Sequence, residues 1–284
     1  MRYSLGAFSV ARIGFGAMQL PGPGVFGPPR DRGEALAVLR RAVDLGVDHI
    51  DTSQYYGPDV ANELIREALH PYPDTLALVS KVGARRDASG GWLPYDEPEQ
   101  LRTGIEDNLR SLGVEQLAAV NLRLMDDAAP DQRFDDQLAV MIEARDEGLI
   151  GGVGLSNITC EHLLRALKQT DVACVQNPLN LVDRASMPLL DECTSRGIPF
   201  VPFFPLGSGF VRPNPVLGNE HVISNAERLG ITPVQVALAW TLGLAPNVLL
   251  IPGTSSVRHL EENLAVAGIE LDEQAQRQLA AAAG

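Results

Sequence analysis

The run His49-Ile50-Asp51-Thr52-Ser53-Gln54-Tyr55-Tyr56-Gly57 puts an aspartate five residues ahead of a tyrosine, and Val79-Ser80-Lys81 ends a later apolar run with a lysine. Only five tyrosines occur in the chain, and two are adjacent here. A buried lysine near a tyrosine hydroxyl favours the phenolate, and a carboxylate keeps that lysine charged. Such a tyrosine is expected to have its pKa drawn down from ~10 toward the working pH and to act as a general acid. The same trio also reads as a buried ion pair with two packing tyrosines, and spacing alone leaves both readings open.

The elements that must position these groups follow from the apolar pattern. Helix-period runs such as GEALAVLRRAVDLG, EQLRTGIEDNLRSLG and DQLAVMIEARDEGLI alternate with strand-like runs such as VDHIDTS, LALVSKVG, LAAVNLRL, GGVGLSN and VLLIPG. Eight strand-then-helix units can be counted from GAFSVARIGFGAM onward, with glycines (Gly46, Gly113, Gly148, Gly197, Gly243) closing many of the helices. The strand runs are almost continuously apolar, as in strands buried on both faces of a parallel sheet. A doubly wound dinucleotide sheet would show Gly-x-Gly-x-x-Gly at its first turn. Gly14-Phe15-Gly16-Ala17-Met18-Gln19 lacks the third glycine, and so does Gly152-Val153-Gly154-Leu155-Ser156-Asn157. The pattern therefore predicts an α/β fold of the (β/α)8 TIM-barrel type, a single domain over residues 1–284 with no linker. Chemistry in such a barrel sits at the carboxyl ends of the strands. Those ends are Asp51, Lys81, Asn121 to Arg123, Ser156-Asn157, Gln176-Asn177, Phe203-Phe204 and Pro252 to Ser256.

Composition narrows the partners. A formal net charge of -13 argues against a nucleic-acid backbone as ligand. No apolar run reaches the eighteen or so residues of a membrane span, and the start lacks a signal-peptide pattern, so a cytoplasmic protein is expected. Cys160, Cys174 and Cys193 form no close pair, which reads as reduced, buried thiols. No strand end offers a His-x-His or a His-carboxylate ligand set, so no metal is expected and a metal-dependent hydrolase is disfavoured.

Asp51-Thr52-Ser53-x-x-Tyr56-Gly57, Val79-Ser80-Lys81, Gly154-Leu155-Ser156-Asn157, Gln176-Asn177 and Ile251-Pro252-Gly253-Thr254-Ser255-Ser256 together resemble the aldo-keto reductases of bacterial type, in order along nearly the whole chain. The resemblance implies a barrel that binds NADPH without a Rossmann fold and reduces an aldehyde or ketone. It implies Tyr56 as proton donor, tuned by Asp51 and Lys81, with Tyr55 on the neighbouring wall. Ser156, Asn157 and Gln176 match carboxamide binders, and Gly16, Ala17, Met18 and Asp51 join the cofactor set. Phe203 stands where a tyrosine usually stacks on the nicotinamide, and Phe203, Phe204, Pro205, Leu206 and Gly207 would run along the pyrophosphate. Pro252, Gly253, Thr254, Ser255, Ser256, Arg258 and His259 would receive the adenosine 2′-phosphate, through hydroxyls and free N–H groups at a helix start. Glu262 and Asn263 would meet the adenine.

This sequence departs from the family's pattern at three further places. Gly253 replaces a frequent lysine and His259 a frequent arginine, so the margin of NADPH over NADH should be narrower than usual. Arg123 stands where the family has a catalytic histidine. An arginine can donate hydrogen bonds to a carbonyl but cannot be a base, and its fork should favour substrates with an acidic oxygen beside the carbonyl. The five histidines fall elsewhere, and His49 reads as a satisfied core residue. Loop aromatics Phe26, Trp92 and Phe210, with Tyr55, are the expected substrate pocket. The alternative is a nicotinamide-binding sensor of the same fold with little catalysis, which Arg123 would favour. Retention of Asp51, Tyr56 and Lys81 together favours the enzyme.

Overall fold

The computed structural model describes residues 2–126, 128–208 and 213–282. The chain opens with an antiparallel hairpin, β1 (Arg2–Leu5) and β2 (Phe8–Ala11), followed by β3 (Phe15–Gly16), α1 (Arg32–Asp44), β4 (His49–Asp51) and α2 (Val60–Leu69). Next come β5 (Ala77–Arg86), β6 (Trp92–Tyr95), α3 (Pro98–Leu112), β7 (Ala119–Arg123), α4 (Gln132–Asp146), β8 (Val153–Ser156), α5 (Cys160–Ala166) and β9 (Cys174–Gln176). The rest is helical in its regular parts: α6 (Met187–Arg196), α7 (Glu220–Leu229), α8 (Pro233–Gly243), α9 (Val257–Leu264) and α10 (Glu273–Ala281).

One sheet runs β3-β4-β5-β7-β8-β9, every neighbour parallel, and β6 adds antiparallel to the outer half of β5. Two further extended segments continue the order by single parallel bridges: Val175 to Phe200, Phe200 to Val248, and Leu250 to Ile13. Gly14 N–H donates to the Leu250 carbonyl at 2.8 Å, and Leu250 N–H to the Arg12 carbonyl at 2.8 Å. The pairings thus lead from β9 back to the residues just before β3.

The strands are buried because their side chains are apolar on both faces; β8 is buried at all four positions and β5 from Ala77 to Ala84. Several helices start on side-chain caps that satisfy their first N–H groups, as Asp31 does for α1 and Thr232, with Gln235, for α8. Gly113 and Gly197 end α3 and α6 in the left-handed region at φ 71° and 69°. Arg12 donates to the carbonyls of Leu242, Ala245 and Val248, tying the end of α8 to the first strands. Among the described residues no helix is long and apolar enough to cross a membrane.

Residues 83–95 differ from the expected loop. Their first arm continues β5 and their second is β6, paired from Gly83–Tyr95 to Arg86–Trp92, with Asp87 accepting from the N–H groups of Ser89 and Gly91 in the turn. Lys81 consequently lies inside a ten-residue strand rather than at its end.

Candidate active site

A cleft of about 760 Å³ opens where the carboxyl ends of the parallel strands converge. Asp51 and Lys81, each 4% exposed, form its floor. Lys81 Nζ is ion-paired with Asp51 and donates to the Thr52 carbonyl at 3.1 Å. Gln176 Nε2 donates to the other Asp51 oxygen at 2.5 Å, so β4, β5 and β9 meet at one carboxylate. Behind this floor lies a polar network that sequence reasoning missed. Thr52 Oγ1 donates to Asn62 Oδ1 (2.7 Å), Asn62 Nδ2 to Asn108 Oδ1 (3.0 Å), and Ser80 Oγ to Asn108 Oδ1 (2.6 Å). It fastens α2 and α3 to the neighbours of Asp51 and Lys81. Its only sequence signal is two asparagines on otherwise apolar helix faces.

Lys81 Nζ stands 5.1 Å from the centroid of the Tyr56 ring. The Tyr56 hydroxyl forms no hydrogen bond among the described residues, and the residue lines the cleft. Its pKa departs from the expectation of a lowered value. Burial raises it well above the usual tyrosine range, the Asp51 carboxylate raises it further, and only Arg123 opposes. Lys81, ion-paired with Asp51, is not among the groups that bring it down. Tyr55 also lines the cleft, packing edge-on against Tyr56 (5.4 Å) and Trp92 (5.5 Å). Burial and then Tyr56 push its pKa up to about 12, against Lys81, Arg123 and Ser53.

Arg123 sits half-buried at the end of β7. Its guanidinium is 5.5 Å from the Phe203 ring centroid, and it makes no ion pair or hydrogen bond among the described residues. The strand is brought close by Gly83, at φ 110°, where a Cβ would run into the Arg123 carbonyl oxygen. A comparable approach joins Gly16 and Gly253: a Cβ on Gly253 would meet the Gly16 carbonyl oxygen, and one on Gly16 the Ile251 carbonyl oxygen. This accounts for the glycine where a lysine was expected.

Among the described residues three buried polar atoms at or beside the cleft lack partners: the Tyr55 hydroxyl and Gln176 Oε1, whose residues line it, and Ser156 Oγ, whose residue does not line it but pairs with Gln176 across β8 and β9. The Gln176 orientation is fixed, since only its NH2 can donate to Asp51, so its carbonyl is left as an acceptor. One hydroxyl and one amide oxygen suit a ligand with an amide group, and a nicotinamide carboxamide matches that donor set. Asn157 differs from its expected role: its Nδ2 donates to the Leu124 carbonyl at 3.0 Å, and it does not line the cleft. Phe203, Phe204, Pro205, Leu206 and Gly207 do line it. Asn180 donates to the Phe204 carbonyl (3.1 Å) and Asn214 to the Leu206 carbonyl (2.9 Å), two rivets whose signal was only that of ordinary turn asparagines.

At the far end Gly16, Met18, Pro252, Gly253 and His259 line the cleft. Ala17, Thr254, Ser255, Ser256, Arg258, Glu262 and Asn263 do not, and Ala17 and Asn263 are buried. The expectation of free N–H groups at the start of α9 is only partly met. Ser256 N–H is taken by Thr254 Oγ1 (3.1 Å) and Val257 N–H by the Glu34 carboxylate (3.0 Å). Arg258 is exposed, paired with Glu262 at 3.0 Å and 2.8 Å from His259.

Trp92 forms part of the cleft wall, while Phe26 does not line it. Phe26 lies instead behind the wall, where Arg86 places its guanidinium 4.1 Å from the Trp92 ring centroid and 5.5 Å from that of Phe26. Arg86 also donates to the carbonyls of Gly24, Val25 and Gly90. Phe210 lies outside the described residues. Gln19, Met125, Asn214 and Leu217 line the cleft without having been foreseen. His49 is buried but only half satisfied: Nδ1 lies 3.4 Å from Asp48 Oδ1, and Nε2 has no partner. Among the described residues no group of His, Cys, Asp and Glu could hold a metal ion, and all three cysteines are free.

With this geometry in place, comparisons with known proteins become informative. Residues 12–283 match the sequence model of the Aldo/keto reductase family. The chain is 50% identical over 275 residues to pyridoxine 4-dehydrogenase of Escherichia coli K12, covering 96% of this chain and 94% of that one. It is 38% identical over 268 residues to an uncharacterized oxidoreductase of Schizosaccharomyces pombe, covering 94% and 85%. Among solved structures it is similar to a thermostable aldo-keto reductase in complex with the inhibitor epalrestat (TM-score 0.82, 26% identity, 99% of both chains). It is also similar to an aldo/keto reductase from Klebsiella pneumoniae in complex with NADP and acetate (TM-score 0.79, 26% identity, 95% of this chain and 90% of that one).

Proposed function

Because the chain belongs to the aldo-keto reductase family and is an oxidoreductase acting on carbonyl and CH–OH groups, we propose that it reduces a small aldehyde or ketone to the alcohol with NADPH, Tyr56 giving the proton. The eight extended segments, read with the bridges from β9 round to Ile13, are taken as a closed (β/α)8 barrel forming one domain. The observation that carries the reading is the pair of unpartnered atoms, Ser156 Oγ and Gln176 Oε1, beside the Asp51–Lys81 pair. NADP in the Klebsiella relative supports the cofactor, and the name of the Escherichia coli relative supports an aldehyde of the pyridoxal type.

When bound, the cofactor supplies the hydride. Ser156 and Gln176 would hold its carboxamide, and Phe203 would offer an aromatic surface for its ring. Asp51 fixes Gln176 and Lys81 together, so cofactor orientation and the proton-donating corner share one anchor. Tyr56 is kept protonated by burial and by Asp51, and it donates its hydroxyl proton to the carbonyl oxygen as negative charge develops there. Arg123 adds a positive charge at the same oxygen. A pure sensor would have no use for a protonated tyrosine held next to an ion pair. NADPH oxidation against aromatic, aliphatic and dicarbonyl aldehydes, pyridoxal among them, tests the proposal. Cofactor binding with no turnover on any member of the panel would overturn it.

A further inference from the structure

We propose that the substrate is a planar aromatic aldehyde carrying an ionised hydroxyl ortho to the carbonyl, and that Arg123 is the residue that selects it; this rests on reading the cleft as a carbonyl-reducing site. Twelve other arginines are held in ion pairs on this acidic chain. Arg123 is half-buried and has no such partner among the described residues. A guanidinium withdrawn from water without a counter-charge is unfavourable unless an anion completes it.

Among the described residues the cleft does not supply that anion: Asp51 is the only acidic one lining it, and both Asp51 oxygens are engaged, by Lys81 and Gln176. Apolar and aromatic side chains line the same cleft, among them Tyr55, Trp92, Met125, Phe203 and Leu217. A flat ring with little hydrogen-bonding capacity suits those walls. Phe203 lies against the guanidinium at 5.5 Å, and the fork can then reach two coplanar oxygens, the carbonyl and its ortho neighbour. Arg123 and Tyr56 line the same cleft, so a carbonyl held by the fork faces the phenol. Behind the wall, Arg86 stacked on Trp92 makes that indole more accommodating to an electron-rich ring.

The test uses salicylaldehyde and 2-methoxybenzaldehyde, which differ in whether the ortho oxygen can ionise. In the wild type, kcat/KM above the ionisation of the hydroxyl should favour salicylaldehyde by about tenfold or more, the scale of a charge-assisted hydrogen bond. Arg123→Gln should bring the ratio close to one, mainly through KM, and Arg123→Lys, which keeps the charge but not the fork, should restore part of it. Equilibrium titration of tryptophan fluorescence with both aldehydes gives a readout independent of turnover. Selective binding that Arg123→Gln abolishes supports the selector even if no aldehyde is reduced, in which case it is the reductase reading that fails. Turnover of both aldehydes with a ratio near one, or a ratio that Arg123→Gln leaves unchanged, overturns the selector and leaves the reductase reading standing.

Discussion

The two ends of the cleft are built on opposite plans. At one end, Asp51, Lys81, Gln176 and Tyr56 are buried, and the first three hold one another across β4, β5 and β9. At the other end, Arg258 and His259 are exposed, Arg258 is paired with a residue of its own helix, and two backbone donors are already occupied. The first end is over-determined, so removing one member leaves buried charge or polarity unpaired. The second has only surface electrostatics to lose, and those are weak and screened by salt. The difference predicts a steep gradient of mutational effect along one cleft.

The largest effect should come from the shared anchor. Asp51→Ala leaves Lys81 buried without a counter-charge and Gln176 without an acceptor, and should cost about 3 kcal/mol of stability or more in urea denaturation. A loss below about 1 kcal/mol would mean that the lysine finds water, and the contrast between the two ends would shrink. Next comes Tyr56→Phe, which should preserve folding and cofactor affinity while lowering turnover by ~100-fold or more. Tyr55→Phe should change little; the reverse ranking would exchange the two tyrosines' roles.

A smaller effect should appear in the pH profile. The Tyr56 pKa is raised first by burial, then by Asp51, and only Arg123 pulls it down. With Tyr56 in the proposed role of proton donor, reduction requires the protonated phenol, and activity should fall as pH rises through that pKa. Arg123→His, neutral at high pH, removes the opposing charge, and the basic limb of kcat/KM should move to higher pH. An unmoved limb would place the guanidinium away from the reacting oxygen.

The smallest effect belongs to the far end. Glu34→Gln keeps an oxygen for the Val257 N–H but removes a negative charge from the first turn of α9. NADPH affinity should then rise about threefold with NADH unchanged, in fluorescence titrations at low salt. Equal gains for both cofactors would show that Glu34 acts only as a link between α1 and α9.

How legible the site was from sequence follows the same gradient. Asp51, Arg123 and Gln176 were visible because they interrupt apolar runs where strands end, and Lys81 because it interrupts the apolar run of β5. The pKa direction of Tyr56 was not visible, since it depends on whether Lys81 faces the hydroxyl or Asp51, a matter of a few ångströms. The β5–β6 hairpin was hidden because its arms carry Arg85, Arg86 and Pro94, poor strand formers around a recognisable turn. Glu34 gave no signal at all, being one acidic residue in the first turn of a surface helix. The network of Asn62 and Asn108 was written in the chain as polar residues on apolar faces, but its partners come from four elements that only folding brings together.

The contact between Gly16 and Gly253 limits how this chain can evolve. A lysine at position 253 would be the direct route to a firmer hold on a phosphate, yet its Cβ would press on the carbonyl oxygen of Gly16, a backbone atom that cannot swing aside. Position 16 is closed in the same way by the Ile251 carbonyl. The two sites are therefore epistatic: neither can gain a side chain until the spacing between their segments changes. Adaptation of cofactor preference, in nature or in a library, is channelled to His259, which is exposed on the cleft, and to Glu34, whose carboxylate has the Val257 N–H as its one backbone partner among the described residues.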